Sequence, residues 1–190
     1  MAGARPPKKT TPARLRRQVA HYLERYATTE AHLRRLFRRR IHRAATHHGD
    51  DPAEGEAMLD AEIERVVRLG LVDDVLYATD RARRLVRQGN GPRKVRAKLA
   101  AKGVPSGLVD QALDAVADEL GDPARTAVVR YARRRRLGPY ASGGPHDVDE
   151  RRKQLAKLAR AGFSYDVARR VVDSEGVEEL EAWATGLGED

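Results

Sequence analysis

The stretch that decides the fold occurs twice. Its first copy reads Lys98-Leu99-Ala100-Ala101-Lys102-Gly103-Val104-Pro105-Ser106-Gly107-Leu108-Val109. Its second copy reads Lys157-Leu158-Ala159-Arg160-Ala161-Gly162-Phe163-Ser164-Tyr165-Asp166-Val167-Ala168. The copies align without gaps and share Lys, Leu, Ala, Gly and the apolar residue that follows the Gly. Because Gly adopts left-handed backbone at little cost, this pattern predicts a helix, a Gly stop, an apolar plug and a second helix. We interpret it as an internal repeat.

A weaker third copy lies nearer the N-terminus and reads Arg35-Leu36-Phe37-Arg38-Arg39-Arg40-Ile41. Arg40 stands where the other copies have Gly. Residues 42–57 follow, and we interpret them as a polar, His-rich, mobile insertion before the next helix resumes. The repeat hypothesis therefore depends on two good copies and one eroded copy.

Apolar residues recur at spacings of three and four along most of the chain, and no convincing alternating segment is present. This periodicity predicts nine short helices in three groups of three. The predicted first-turn prolines are Pro92 and Pro123, the predicted N-caps are Thr29, Asp73, Asp122 and Ser164, and the predicted helix stops are Gly70, Gly89, Gly103 and Gly162. We therefore predict an all-α fold of three tandem three-helix repeats, stacked in an elongated, curved array.

The predicted organisation has five parts. They are a disordered basic arm (1–12), a first repeat with the His-rich insertion (13–72, insertion 42–57), a second repeat (73–121), a third repeat (122–175) and an acidic tail (176–190). Two interpretations of the tail stay open: it is a tenth helix that docks on the repeats, or it is disordered and competes with a partner for the basic surface.

Composition limits the possible functions. The chain has 190 residues, 37 Lys and Arg against 28 Asp and Glu, a formal net charge of +9 and no cysteine. The lack of cysteine excludes disulfide scaffolds, thiol nucleophiles and cysteine-based metal sites. Apolar runs are too short for a membrane span, and the basic N-terminus has no apolar signal-peptide stretch, so we expect a cytoplasmic protein. The excess of basic residues indicates an acidic partner.

The sequence contains no complete motif for catalysis or cofactor binding. The Gly-rich run 89–94 lacks the Gly-Lys-Ser/Thr ending of a phosphate loop and the third Gly of a dinucleotide fingerprint. His42, His47 and His48 match no familiar metal-ligand spacing, and the adjacent Asp73 and Asp74 are typical of helix capping. We expect no enzymatic activity, no metal and no cofactor.

Three ordered motifs resemble the RecX family of bacterial regulatory proteins. They are Leu69-Gly70-Leu71-Val72-Asp73-Asp74 with Tyr77-Ala78, then Gly89-Asn90-Gly91-Pro92-Arg93-Lys94-Val95 leading to Lys102-Gly103, then residues 151–171. The resemblance implies a non-enzymatic protein that binds the RecA recombinase filament and modulates, mainly inhibits, its extension and its activities in recombination, DNA repair and the SOS response. Arg40, the insertion, the link at residues 138–145 and the acidic tail depart from the family pattern.

We predict that a basic surface contacts this partner, with DNA in the filament as a further contact and the free protein as a monomer. Its residues are Arg93, Lys94, Arg96, Lys98, Lys102, Arg133, Arg134, Arg135, Arg136, Arg151, Arg152 and Lys153. The alternative function is a helical nucleic-acid-binding protein that acts directly on DNA through the same residues. Composition does not separate the two functions, although nine aromatic rings in the whole chain are few for stacking bases.

Overall fold

The computed structural model describes residues 6–141 and 147–186, and these form ten α-helices and one short 3-10 turn without any strand. The helices are α1 (Pro12–Leu23), α2 (Glu30–His48), α3 (Pro52–Arg68), α4 (Asp74–Arg87), α5 (Pro92–Ala100), α6 (Ser106–Leu120), α7 (Pro123–Arg135), α8 (Val148–Arg160), α9 (Tyr165–Asp173) and α10 (Val177–Thr185). The 3-10 turn spans Gly138–Tyr140. The predicted all-α class is confirmed.

The predicted helix boundaries are confirmed wherever a local cause sets them. Pro92 and Pro123 occupy first turns, where a missing N–H costs nothing. The side chains of Thr29, Asp73, Asp122 and Ser164 accept hydrogen bonds from backbone N–H groups of the helices that follow them. The predicted stops Gly70, Gly89, Gly103 and Gly162 all have positive φ.

The chain forms two compact units, and the boundary between them falls within α4. The first unit comprises Met1–Tyr77 with Lys102–Val104 and contains α1, α2 and α3. Its core residues are Leu15, Val19, Leu33, Phe37, Ile41, Leu59, Ile63, Val66 and Val72. Gly55 on α3 lets that helix approach α2 closely, because a Cβ there would lie 2.4 Å from Cγ2 of Ile41.

The second unit comprises Ala78–Ala101 and Pro105–Asp190. Its buried side chains are mostly Ala, Val and Leu, which agrees with the scarcity of rings in the sequence. One buried polar group organises the segment after α7: Gln154 on α8, 1% exposed, accepts a 2.7 Å hydrogen bond from the backbone N–H of Gly138. A buried amide in an otherwise apolar core is stable only when it is paired in this way.

The repeated Gly of the sequence has a packing role in the second unit. Gly162, at φ +95°, ends α8 against the start of α5, where the N–H of Gly91 donates to the carbonyl of Ala161 (2.9 Å) and the N–H of Arg93 to that of Gly162 (3.2 Å). Orphan donors of one helix thus meet orphan acceptors of another. A Cβ on Gly162 would lie 2.5 Å from the backbone N of Lys94, so the contact requires Gly.

The first unit contains the same arrangement. The turn at Lys102 and Gly103 packs against the start of α2: the hydroxyl of Thr29 donates to the carbonyl of Lys102, and a Cβ on Gly103 would lie 2.5 Å from Cβ of Ala31. Asp74 also caps this end of α2, because its carboxylate accepts a 2.9 Å hydrogen bond from the backbone N–H of Glu30. The two good sequence copies therefore share a Gly because each Gly turn packs on a helix N-terminus.

The segment after the eroded copy is mostly helical, and the third helix begins earlier than the sequence analysis expects. Helix α2 continues through Arg40 to His48, and α3 begins at Pro52, so most of residues 42–57 are helical. Since α2 does not end at Arg40, no Gly stop is needed there. His42 instead faces Glu56, with 2.6 Å between Nε2 and Oε1.

Three other segments add detail to the sequence analysis. Residues 7–9 contact the first unit rather than extending from it, through Lys9 Nζ to Asp50 Oδ1 (2.8 Å) and the carbonyl of Pro7 to His48 Nε2 (2.8 Å). Most of the acidic tail is helix α10, whose Leu180 is fully buried, as the docked-helix alternative expects. Residues 1–5, 142–146 and 187–190 lie outside the described residues.

Substitution of the packing glycine gives a direct test of this arrangement. Gly162→Ala combines left-handed strain with a steric clash, and we expect it to lower the free energy of unfolding by about 3 kcal/mol in urea titrations. Gly70→Ala is the matched control, because Gly70 has φ +67° but open space around its Cβ position, and it should cost about 1 kcal/mol. Equal losses for the two variants would show that the clash with α5 contributes nothing.

Candidate protein-binding surface

The predicted basic residues lie on four elements. Helix α5 carries Arg93, Lys94, Arg96 and Lys98; the end of α7 carries Arg133, Arg134, Arg135 and Arg136; α8 carries Arg151, Arg152 and Lys153. These eleven residues belong to the second unit, whereas Lys102 belongs to the first unit. The predicted set is therefore described unit by unit.

Three of the eleven residues already have carboxylate partners within the chain. Arg96 pairs with Asp110 on α6, and Arg133 pairs with Glu181 on α10. Arg151 makes a bidentate pair with Asp173 on α9, with both N···O distances at 2.9 Å, and this guanidinium holds the pKa of Asp173 below its usual range. These arginines tie helices together, so their charge is largely used inside the molecule.

Arg134 is engaged differently. Its Nη1 donates a 2.8 Å hydrogen bond to the carbonyl of Gln88, and its guanidinium lies 5.8 Å from the ring centroid of Tyr131. Arg136 is the one described residue other than Gly with positive φ, at 52°. It occupies the position where other helices of this chain have Gly, which places an arginine at the end of α7 at the cost of backbone strain.

The remaining predicted residues of the second unit have no carboxylate within ion-pair distance among the described residues. They are Arg93, Lys94, Lys98, Arg135, Arg136, Arg152 and Lys153. All except Lys94 are exposed, and Lys94 is half-buried. Seven of the twelve predicted residues are therefore open to a partner.

The densest part of this set is a cluster of like charges on α4 and α5. Partial burial, together with the charges of Lys94 and Arg81, lowers the pKa of Lys98. Lys94 and Lys98 are four residues apart on α5 and so share one helix face, where like charges repel. Basic side chains without a carboxylate partner are available to bind an anion. We call Arg81, Lys94 and Lys98 the lysine cluster.

Sequence reasoning missed Arg81, because no spacing along the chain relates α4 to α5. It also missed His32 in the first unit, whose Nε2 lies 3.4 Å from Nζ of Lys102. Burial, followed by the charges of Lys102, Arg35 and Arg39, lowers the pKa of His32. Lys102 thus belongs to a second basic region, which the first unit presents by itself.

Cations at the start of α5 would oppose the helix macrodipole if that end were free. In the structure the carbonyls of Ala161 and Gly162 meet this end and offset part of its positive potential. The backbone contact that positions α5 therefore also makes room for Arg93 and Lys94 in its first turn.

Helix α10 contacts α7 and occupies part of its arginine-rich end. Glu181 on α10 accepts a 2.6 Å hydrogen bond from the hydroxyl of Tyr140 and also pairs with Arg133. Arg125 donates to the carbonyl of Trp183 at 3.1 Å, and its guanidinium lies 5.0 Å from the ring centroid of that residue. An acidic segment of the chain thus serves as counter-ion to α7.

The described residues contain no group of three or more His, Asp or Glu placed to hold a metal ion. Within the same residues, no helix is both long and apolar enough to cross a bilayer. The second unit presents a set of positioned guanidinium and ammonium groups on α5, α7 and α8. Such groups bind carboxylates or phosphates.

Comparisons with known proteins agree with this description. Residues 73–113 match the family model described as RecX, second three-helix domain. The regulatory protein RecX of Myxococcus xanthus is 36% identical over 172 residues, which cover 90% of this chain and 91% of that protein. The regulatory protein RecX of Stenotrophomonas maltophilia strain K279a is 34% identical over 110 residues, or 58% of this chain and 63% of that protein.

A solved structure supports the fold. The crystal structure of RecX from Lactobacillus salivarius superposes with a TM-score of 0.58 over 90% of this chain and 96% of that chain, at 19% sequence identity. At that identity the likeness concerns the fold alone.

The docking of α10 yields a pH prediction, with Trp183 as the one tryptophan of the chain. The hydrogen bond from Tyr140 and the charge of Arg133 lower the pKa of Glu181. A carboxyl with a lowered pKa stabilises the fold fully above its ordinary pKa and loses this effect as the pH falls through the lowered value. We expect Trp183 fluorescence to stay constant from pH 8 to pH 5 and to shift below roughly pH 4, the ordinary glutamate range.

The control separates local release from general acid unfolding. Glu181→Gln removes the ion pair and should shift Trp183 emission already at pH 7, with helix content measured by circular dichroism nearly unchanged. Glu178→Gln, on the same helix but exposed and without a partner among the described residues, should leave the emission as in wild type. Identical emission from both variants would mean that Glu181 does not hold α10.

Proposed function

Because the chain belongs to the RecX family of regulatory proteins, we propose that it binds the RecA recombinase filament and modulates, mainly inhibits, filament extension and activity. The proposal has no catalytic step and no cofactor. It places the protein in the cytoplasm, as a monomer when free. A filament of protein on DNA offers both carboxylates and phosphates, which are the groups that open cations recognise.

The observation that carries the proposal is the uncompensated lysine cluster. Many arginines of the chain pair with a carboxylate, whereas Lys94, Lys98 and Arg81 have no carboxylate partner among the described residues, and burial followed by the charges of Lys94 and Arg81 lowers the pKa of Lys98. Like charges four residues apart on a helix cost about 0.3 kcal/mol. A bound anionic surface would remove this cost, so the repulsion in the free protein favours binding.

The open cations are spread over α5, α7 and α8 rather than gathered in one pocket. A repeating filament presents the same acidic groups at regular intervals, and several weak contacts made at once give an avidity that no single contact has. Electrostatic attraction of this kind speeds encounter and weakens as salt is added. A chain that contacts several protomers would block the addition of the next one, which is the proposed route to inhibition.

The alternative function, direct action on DNA, uses the same cations on phosphates. Outside residues 67–76, three large apolar side chains are exposed among the described residues, and two of them are tyrosines, Tyr26 and Tyr165. Few other aromatic rings are available to stack on bases. Proteins that hold single strands generally combine a basic groove with several stacking rings. The composition therefore favours a protein partner, and the experiment below separates the two functions.

We predict that Lys94→Glu/Lys98→Glu folds at least as stably as wild type and loses function. Lys98→Glu turns the repulsion with Arg81 into attraction, and Lys94→Glu places a carboxylate in the first turn of α5, where it is favourable to the helix macrodipole, so unfolding in urea should occur at equal or higher concentration. Co-sedimentation with RecA filaments should weaken by at least about tenfold at 0.1 M salt, because several steering contacts are inverted. Inhibition of RecA-dependent ATP hydrolysis should weaken in parallel.

The matched control is Arg17→Glu/Arg25→Glu, which also lowers the formal net charge from +9 to +5 but changes exposed cations outside the predicted set. It should bind filaments nearly as wild type does. RecA pulldown without DNA and a DNA mobility shift without RecA complete the test. Binding to DNA alone at physiological salt, with no RecA association, would replace the proposal by the alternative function.

A further inference from the structure

Exposed aliphatic side chains are concentrated at one place in the first unit. Among the described residues, eight large apolar side chains are exposed, and five of them fall within residues 67–76. They are Val67, Leu69, Leu71, Val75 and Leu76, and their exposed fractions lie between 41% and 60%. We call these five residues the aliphatic turn. Single exposed apolar residues are ordinary, whereas a contiguous group marks a contact surface.

The backbone that carries the aliphatic turn is rigid. At the end of α3 the N–H of Gly70 donates to the carbonyl of Val67 (2.8 Å), and the N–H of Leu71 donates to that of Val66 (2.9 Å). This is the double hydrogen bond of a Schellman motif. Val72 is buried in the core beneath it. The exposed side chains are therefore presented by a fixed scaffold, which reduces the entropy lost on binding.

Local structure does not require these side chains to be apolar. Gly70 supplies the left-handed turn, Val72 supplies the core contact, and Asp73 caps α4 through the N–H of Leu76 at 2.9 Å. Polar residues at the exposed positions would satisfy the same backbone. The aliphatic character thus needs a reason outside the folding of the unit.

The chemistry of the aliphatic turn points to a protein. Aliphatic side chains have neither hydrogen-bonding groups for phosphates nor rings for stacking on bases, so they do not recognise nucleic acid by either route. They gain free energy by entering an apolar groove. A contact made of such a core with charges around it is typical of protein–protein interfaces.

A second copy of this chain is a poor occupant. The five side chains of the aliphatic turn, 41–60% exposed, offer at most a few hundred Å² of apolar surface, less than the ~800 Å² that each partner buries in a standard interface. The first unit carries 16 Lys and Arg against 11 Asp and Glu, a formal net charge of +5, so two copies would also repel. An acidic surface adds the attraction that the aliphatic area lacks. Arg68, exposed beside the turn and without an ion pair among the described residues, lies where it would meet such a surface.

We propose that the aliphatic turn docks into an apolar groove on an acidic protein surface and supplies the lasting part of the contact. This inference rests on the proposed function, under which the groove belongs to the RecA filament. The open cations then govern the rate of encounter, and the aliphatic turn governs the rate of release.

The test is filament binding by Leu69→Ser/Leu71→Ser/Leu76→Ser, measured by co-sedimentation with RecA filaments over a range of salt concentrations. We expect at least about 100-fold weaker binding, since truncated anchors at an interface centre have effects of this size. The dependence on salt should keep its wild-type slope, because no charge has changed. Lys94→Glu/Lys98→Glu should instead flatten that slope.

Controls address folding and specificity. Val148→Ser removes an isolated aliphatic side chain that is 83% exposed in the second unit and should bind as wild type does. Val75→Ser/Leu76→Ser leaves the Schellman turn intact and should reproduce at least a tenfold loss if the triple variant folds poorly. Wild-type affinity in both aliphatic-turn variants would overturn the inference and leave the proposed function standing.

Two further outcomes are decisive. A wild-type chain that does not bind RecA filaments overturns both the proposed function and the inference. Sedimentation of the wild type as a dimer, with the triple variant a monomer, would assign the aliphatic turn to a second copy and overturn the inference alone.

Discussion

The arrangement on which the rest of the structure depends is the packing of a Gly-ended helix turn against the start of another helix. It occurs once in each unit, at Gly103 against α2 and at Gly162 against α5. Left-handed backbone at the Gly exposes carbonyls, the opposing helix start has unpaired N–H groups or a capping hydroxyl, and the lack of a Cβ brings the two within hydrogen-bond distance. Two local needs, ending one helix and beginning another, are met by a single long-range contact.

This contact explains why the basic residues of α5 stand where they do. The first turn of α5 is held through its own backbone, by the carbonyls of Ala161 and Gly162, so its side chains are released from any capping role. Val95 and Leu99 of α5 are buried, Lys98 is exposed, and the charges of Lys94 and Arg81 act on Lys98. Stability comes from the main chain, and the side chains are left for recognition.

The sequence predicts the features that depend on residues close together in the chain, and it misses those that depend on residues far apart in the chain. Pro92, Asp122 and Ser164 act within a few residues, and their roles were predicted correctly. The helical course of most of residues 42–57 was missed, because the aligned Gly of the other two copies led us to expect a helix end at Arg40, whereas α2 continues to His48. The division of the cations was also missed, since Asp173 is 22 residues from Arg151 and Glu181 is 48 residues from Arg133. Periodicity assigns a face to a residue, and it does not assign a partner across the fold.

The net charge of the chain does not show which basic residues are paired within the fold and which are open to a partner. Arginines such as Arg151 have the planar donor geometry to make bidentate pairs, and here they join helices. Lys94, Lys98 and Lys153 are point charges without a fixed partner geometry and remain open, together with four arginines of the predicted set that have no carboxylate partner among the described residues. A formal charge of +9 therefore overstates what a partner meets and obscures where it meets it. The attraction that remains is localised and sensitive to salt, and a lasting complex then needs contacts that salt does not weaken. Under the inference drawn above, the exposed aliphatic side chains between the end of α3 and the start of α4 supply contacts of that kind.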